Sequence, residues 1–425
     1  MKQPSRKWAL CVLALALIGA GLACHIWAHV HYRAATRALA RHDLAAAQAE
    51  LASCLKVWSR STDTLLLAAR TARRAGDFDQ AESYLRDCRD LGGPEKAIDL
   101  EHKLLRVQRG YLSQVERPLV SMLNQNHPDT PLIAEVLTPA FLQTYQLDNV
   151  GHCIQCWLAH EPDSIEAWRY SAKLAEVVHN GDEVLACYRR LVELEPDNDE
   201  TRLLLAGQLI NAHRPQEALQ EFEHVRPRVG DTPLVLGGIA CCERELGHGD
   251  EARRLLERVL AEDPHNGMAL GERGRLALQF ESPAEGEKWL RRALVERPAE
   301  REYLYSLLQC LLRQKDKRKE AEELQAQLKK VEGDLDRLRE LTRRLASDPH
   351  NADLRCEAGQ IMLRNGQATE GLRWLNSALQ EDPNHAATRQ ALAEYHRDRK
   401  GTALENLQPL ARAPAAGQVG GKKMP

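Results

Sequence analysis

The densest cluster of side chains able to bind a metal or cycle electrons is His152-Cys153-Ile154-Gln155-Cys156, followed by His160. On a helix, positions three and four apart share a face, so Cys153, Cys156 and His160 would present two thiols and an imidazole together. Thiolate and imidazole are the usual zinc ligands, and a C-x-x-C pair can also do redox chemistry. Structural zinc needs a fourth ligand, yet no second C-x-x-C pair occurs, and haem attachment would need a histidine directly after Cys156. The remaining cysteines are scattered, Cys241-Cys242 among them, and a free cysteine packs as a small hydrophobe. Packing is therefore the expected role, with Cys153, Cys156 and His160 the only metal candidates. The chain has no nucleophile elbow, phosphate loop or H-E-x-x-H pattern. Gly271-Glu272-Arg273-Gly274 falls inside a helical pattern and cannot cradle a phosphate. These absences imply no catalytic residues, no cofactor and no enzyme.

What must position any functional residue is a repeat. Pro128, Pro162 and Pro196 are evenly spaced, and the same interval separates Pro264 from Pro298 and Pro349 from Pro383. Stepping by that interval from Pro196 reaches Gly230 and then Pro264, and stepping back from Pro128 reaches Pro94. The prolines sit in similar tetrapeptides: EPDS, EPDN, DPHN, DPHN and DPNH. About twelve positions before each breaker comes a small residue, as at Ala218, Ala252, Gly286 and Gly371. Apolar residues follow it at three- and four-residue steps, as in Ala252, Leu255, Leu256, Val259 and Leu260, which places one apolar stripe on a helix. The small residue lets two helices approach closely, and the proline ends the second and begins the next. A unit of about 34 residues with one breaker reads as helix-turn-helix repeats.

These residues resemble the tetratricopeptide repeat family. Unit 165–198 has Trp168, Tyr188 and Pro196 in register. Unit 267–300 has Gly274, Ala277, Gly286, Ala293 and Pro298. Unit 352–385 has Gly359, Gly366, Gly371, Leu375, Ala378 and Pro383. Gly76-Asp77-Phe78 with Ala81, and His42-Asp43-Leu44 with Ala47, match more loosely, so the resemblance covers about residues 30–398. It implies an all-α superhelical solenoid of helix-turn-helix units whose concave surface, lined by the first helix of each, binds a partner peptide or helix. Carrying the register over, the partner-binding candidates are Arg169, Lys173, Arg244, Arg275, Tyr305, Gln309, Arg313, Gln360 and Arg364. The Lys-Asn pair with which some members clamp a terminal carboxylate is missing, although the arginines would suit an acidic peptide.

Three stretches depart from the repeat. Residues 8–28 hold no Asp, Glu, Lys or Arg, follow Lys2, Arg6 and Lys7, and are long enough as a helix to span a bilayer. They are expected to be an N-terminal transmembrane helix, with cleavage near Gly21-Leu22-Ala23 or lipidation at Cys24 as competing readings. Basic residues flank both ends, and a single-pass protein with its repeats on the extracytoplasmic side is the adopted orientation, against which nine thiols outside the segment argue. Lys315–Asp348 adds a half-unit, with Leu324, Leu328, Val331, Leu335, Leu338 and Leu345 in a heptad-like row. It is expected to be one long helix with a coiled-coil seam, or two helices split at Gly333. Gly401–Pro425 reads as a disordered tail. The domains are then 1–29 (basic region and anchor), 30–314 (repeat array), 315–348 (helical insertion), 349–400 (last repeat and capping helix) and 401–425 (tail).

Composition narrows the function. The 58 basic and 61 acidic residues nearly cancel, so the totals show no basic excess of the kind a nucleic-acid binder uses. Aromatics are 5%, which disfavours sheets. The expected function is a non-catalytic, membrane-anchored scaffold binding a protein or peptide partner, with no nucleic acid. The alternative is an accessory subunit of an envelope export, polysaccharide-secretion or cytochrome-maturation complex.

Overall fold

The structure is a computed structural model that describes residues 6–41, 43–178, 180–297 and 300–400. The described residues are helical, with no strand among them. Helical hairpins follow one another: α1 (Arg6–Ala40) with α2 (Leu44–Val57), α3 (Thr62–Arg74) with α4 (Phe78–Asp90), α5 (Glu95–Gln108) with α6 (Leu112–Asn124), and α7 (Thr130–Gln143) with α8 (Leu147–His160). Then come α9 (Ile165–Val177) with α10 (Gly181–Leu194), α11 (Asp199–Asn211) with α12 (Pro215–Val229), α13 (Pro233–Glu245) with α14 (Gly249–Glu262), and α15 (Gly267–Phe280) with α16 (Pro283–Glu296). Last are α17 (Arg301–Leu312) with α18 (Arg318–Ser347), α19 (Ala352–Arg364) with α20 (Ala368–Glu381), and α21 (Ala386–Lys400). The first helices of the hairpins begin at Ile165, Asp199, Pro233, Gly267 and Arg301, one constant step that equals the proline spacing. Pro298 and His42 lie outside the described residues, as does the tail expected over 401–425.

The recurring tetrapeptide is a self-contained joint. In Asp263-Pro264-His265-Asn266 the aspartate ends α14, the proline cannot extend the helix, and Asn266 caps α15 by accepting from the Ala269 amide at 3.0 Å. The Asn266 side-chain amide in turn donates to Asp263 at 3.2 Å. Asn198 repeats this with Thr201 and Glu195, and Asn351 with Leu354 and Asp348. An arginine at the fourth position of the next helix locks the joint from the other side. Arg202, Arg355 and Arg389 each donate to the proline carbonyl, at 3.3 Å to Pro196, 3.0 Å to Pro349 and 2.6 Å to Pro383. In six hairpins the inner turn is fixed differently, by one residue in the left-handed region. Glycine holds that place at Gly76, Gly110, Gly247 and Gly366, whereas Tyr145 and His213 adopt it at φ near 54° despite the steric cost.

Within a hairpin the two helices touch backbone to backbone where both residues are small. A methyl group on Gly359 would sit 3.0 Å from the Gly371 carbonyl oxygen and 2.7 Å from Leu375, and one on Gly371 would meet the Gly359 oxygen at 3.0 Å. Gly274 and Gly286 approach in the same way: a methyl on Gly274 would lie 3.0 Å from the Leu290 backbone nitrogen, and one on Gly286 3.2 Å from the Gly274 oxygen. In other hairpins Ala81, Ala218 and Ala252 fill the corresponding place, fully buried.

The chain divides into two compact units, Met1–Ala140 with His152–Ala167, and Phe141–Gly151 with Trp168–Pro425. The first unit has a core that includes Leu65, Ala69, Leu85, Ile98 and Leu105. Beside it the buried Arg73 donates to the equally buried Glu101 at 2.9 Å, and Arg70 donates to the same carboxylate at 2.6 Å. The second unit holds the half-unit insertion. It is absorbed by a single 30-residue helix, α18, that follows α17 and runs unbroken through Gly333. Its heptad-like row does not wait for another helix. Leu328 is buried, with Leu324 packed beside it, among Leu290, Tyr303, Leu307 and Leu311, and Leu338, Leu341 and Leu345 are buried with Leu354, Ile361 and Trp374. The expectation of a coiled-coil seam is therefore corrected: its apolar face is consumed within the chain.

The membrane expectation is corrected as well. Among the described residues no helix is long and apolar enough to cross a membrane, which overturns the single-pass localisation with extracytoplasmic repeats and the transmembrane segment over 8–28. Part of that run, residues 8–14, 16 and 17, has side chains outside the described set. The helix that contains it is longer than the run, and its second half belongs to the array. Ala28, Ala35 and Ala38 are buried, Ala35 beside Leu51 and Ala68, and Cys54 donates through its thiol to the Ala28 carbonyl at 3.3 Å.

The glycine contacts give a paired expectation. Gly359→Ala should destabilise the protein by about 1–3 kcal/mol, the usual cost of overpacking. Gly207→Ala, at a helical position with nothing within 4 Å, should stabilise it by roughly 0.5–1 kcal/mol. Thermal and urea unfolding of the two variants should move in opposite directions; equal shifts would remove the backbone contact as the reason for the glycine.

Candidate functional site

Five of the nine partner-binding candidates come together. Arg244 from α13, Arg275 from α15, and Tyr305, Gln309 and Arg313 from α17 and its C-terminal cap line one open cleft of about 380 Å³, with Leu278, Gln279 and Ser306. Three successive first helices supply the lining, and the repeat step brings equivalent positions alongside: Arg275 precedes Gln309, and Gln279 precedes Arg313, by one repeat. That register would also have found Leu278, one step after Arg244. The other four candidates lie elsewhere. Arg169 and Lys173 are exposed on α9, where Arg169 pairs with Glu195 at 2.9 Å and Lys173 with Glu176 at 3.4 Å. Gln360 and Arg364 are exposed on α19, where Arg364 grips Asp334 of α18 through its Nε at 2.7 Å.

Beneath the cleft sits a carboxylate no sequence motif marked. Glu272, only 6% exposed, accepts from Arg244 at 3.1 Å and from Arg275 at 2.8 Å. Burial opposes its ionisation, but the guanidinium groups of Arg275 and Arg244 outweigh that effect and hold its carboxyl below the ordinary 4.5. Arg244 is itself buried and also pairs with Glu245 at 3.2 Å. Arg275 also pairs with Glu302 at 2.9 Å. The Tyr305 hydroxyl donates to Glu332 of α18. Arg244 is further joined to Gln279 at 3.5 Å, and the first unit repeats this arrangement with Arg73, Glu101 and Gln108. The internal ion pairs thus hold Arg244 and Arg275 in place while neutralising them. Arg313 is different: it is exposed at the cleft and makes no ion pair among the described residues.

The buried Arg355 also escaped sequence reading. Arg355 is wholly buried, and its guanidinium donates to the Thr144 carbonyl, to the Pro349 carbonyl and to Ser377 Oγ at 3.1 Å. Beside it the Tyr145 ring stacks on Trp374 with centroids 3.5 Å apart, and its hydroxyl donates to Glu370 at 2.5 Å. These contacts hold Tyr145 in its left-handed conformation. Nothing in the sequence pairs positions so distant along the chain.

The cysteine and histidine cluster is spent on packing. Cys153 is buried, and burial together with the neighbouring Cys156 pushes its thiol up to about 12, away from a reactive thiolate. Cys156 Sγ lies 3.7 Å from His152 Nε2, and His160 Nδ1 turns back to the Cys156 carbonyl at 3.0 Å. Cys153, Cys156 and His160 are not brought into a ligand set. No group of three or more potential metal ligands occurs among the described residues.

Sequence comparison agrees with this architecture. Residues 239–301, which take in most of α13, run through α14, α15 and α16 and reach the start of α17, match the tetratricopeptide repeat family. This segment carries tetratricopeptide repeat sequence. Among curated proteins, a 121-residue stretch is 31% identical to the Protein CTR9 homolog of Arabidopsis thaliana, covering 28% of this chain and 11% of that protein. The chain thus matches about a tenth of the length of that relative. Among solved structures, it is similar to a tetratricopeptide repeat protein from Parabacteroides merdae, with 14% identity, 69% of this chain and 96% of the other covered, and a TM-score of 0.40. It is also similar to human IFIT1, solved as a dimer with m7Gppp-AAAA, with 17% identity, coverage of 76% and 90%, and a TM-score of 0.36.

The buried carboxylate gives a pH-dependent expectation. Glu272→Gln leaves Arg244 without its main counter-charge and should cost about 3 kcal/mol at neutral pH. Because the folded carboxyl titrates below its unfolded value, its contribution is complete above about pH 4.5 and is lost as pH falls through the folded value. The gap between parent and variant should therefore hold from pH 7 to 5 and narrow in stronger acid. A gap that stays constant down to pH 3 in urea titrations would contradict the assignment.

Proposed function

We propose that the chain is a non-catalytic interaction scaffold that holds a segment of a partner protein in the cleft formed by α13, α15 and α17. The observation that supports this most is convergence: residues from three consecutive first helices, one repeat apart, line a single open cleft. Tetratricopeptide repeat proteins bind protein partners and are in general scaffolds without catalytic activity, which favours the same reading. The lining fits it chemically. Leu278 offers apolar contact, Gln279, Gln309 and Ser306 offer hydrogen bonds of the kind a peptide backbone uses, and the paired arginines are rigid walls.

A photo-cross-linking amino acid placed at Gln309 tests the assignment in cells that make the full chain. Adducts with a partner protein are expected from position 309 and not from Glu257, an exposed residue of α14. Adding Arg313→Glu should reduce the adduct at least tenfold while leaving the circular-dichroism melt unchanged. Equal adducts from both positions, or adducts only from 257, would place the binding surface elsewhere. Arg275→Glu is the poorer probe, because it also breaks the Glu272 pairing.

A further inference from the structure

The charge pattern of the candidates says more about the partner than their number does. Six of the nine are cationic, and five of those already have a carboxylate within the chain. Arg169 has Glu195, Lys173 has Glu176, Arg244 has Glu272 and Glu245, Arg275 has Glu272 and Glu302, and Arg364 has Asp334. Four of these pairs, Arg169 with Glu195, Arg244 with Glu272, Arg275 with Glu302 and Arg364 with Asp334, join one element to another, so a partner would have to break the array's own contacts to use those arginines. Arg313 alone among the six makes no ion pair among the described residues. It lines the cleft next to Gln309, whose side chain makes no hydrogen bond among the described residues. Tyr305, on the same helix, is already engaged by Glu332. The unspent polar capacity of the cleft is therefore the Arg313 guanidinium, the Gln309 amide and the amide nitrogen of Gln279, whose oxygen accepts from Arg244.

We infer that the cleft reads a single carboxylate side chain, Asp or Glu, in an extended peptide, with Arg313 as its counter-ion and Gln309 and Gln279 bonding the adjacent backbone. The inference rests on the reading of the cleft as the partner site and deepens it. A guanidinium matches a carboxylate with two parallel hydrogen bonds, which makes the recognition directional as well as electrostatic. An acidic tract gains little here, since Arg244 and Arg275 are already neutralised and a second or third carboxylate would face Glu302, Glu245 or Glu332. The lining spans three helices, which is more length than a chain end requires, and this favours a side chain over a terminal carboxylate. A phosphate group, with close to two charges, would leave half of its charge uncompensated at one arginine.

The test uses the purified full chain with the photo-cross-linker at Gln309 and a synthetic library of 12-residue peptides with amidated C-termini. Peptides that cross-link are resynthesised with each Asp or Glu changed to Asn or Gln, and once more with a free C-terminus. One acidic position per peptide is expected, whose amide form binds at least tenfold more weakly. Arg313→Gln should bind the acid and amide forms within twofold of each other, with an unchanged melting curve, and the acid form should lose affinity with salt as a single ion pair does. Binders that tolerate every amide change, that need several acidic residues together, or that need the free terminus would overturn the inference and leave the cleft as the partner site. A library in which nothing cross-links at position 309 would overturn both.

Discussion

Two helices can lie backbone against backbone only where neither carries a side chain larger than a methyl. That steric constraint, met by Gly359 with Gly371, by Gly274 with Gly286 and in other hairpins by Ala81, Ala218 and Ala252, sets how those hairpins close. The hairpin geometry in turn fixes where the next first helix starts, and the acid-proline-x-asparagine joint holds that start at a constant step. Residues one repeat apart then stand side by side, which is how Gln279 and Arg313, or Arg275 and Gln309, line the same cleft without being near one another in sequence. The cleft is a consequence of regular packing more than of any local motif.

Much of this is legible in the sequence because it is periodic. The breakers, the small residues and the tetrapeptides repeat in register, and register alone places five cleft residues. What is not legible lacks periodicity or lies too far along the chain. Glu272 looks like part of a glycine-bounded run, and only the neighbouring first helices reveal it as the counter-ion of two arginines. Arg355 and the turn at Tyr145 are joined across several repeats, and Tyr145 occupies a turn position where the pattern calls for glycine. The heptad-like row of α18 reads as a surface awaiting another helix, because a leucine row does not say which partner covers it. The apolar run near the amino terminus is judged by its length and charge alone, whereas the helix containing it continues into the packed alanines of the first hairpins.

The electrostatics follow the same logic. An arginine row on successive helices suggests a strongly positive channel, yet each cationic candidate except Arg313 is already answered by an acid of the chain. Pairs such as Arg73 with Glu101 and Arg244 with Glu272 are buried, where losing one partner costs far more than the pair contributes to stability. Their effect is positional: they fix guanidinium groups that would otherwise swing. A cleft neutralised in this way has little long-range field, so a partner would meet it without electrostatic steering, at the modest association rates of unsteered encounters.

The uninterrupted helix α18 alters how this part of the array can come apart. In a chain of hairpins each repeat touches only its neighbours, and unfolding can fray from an end one unit at a time. One 30-residue helix, about 45 Å long, that is buried at one end in the core around α17 and at the other in the core around α19 leaves no joint at which fraying could stop. The last hairpin and the repeat that contributes the α17 wall of the cleft are thereby merged into one cooperative block, so that loosening near Trp374 is a loosening of the cleft wall as well.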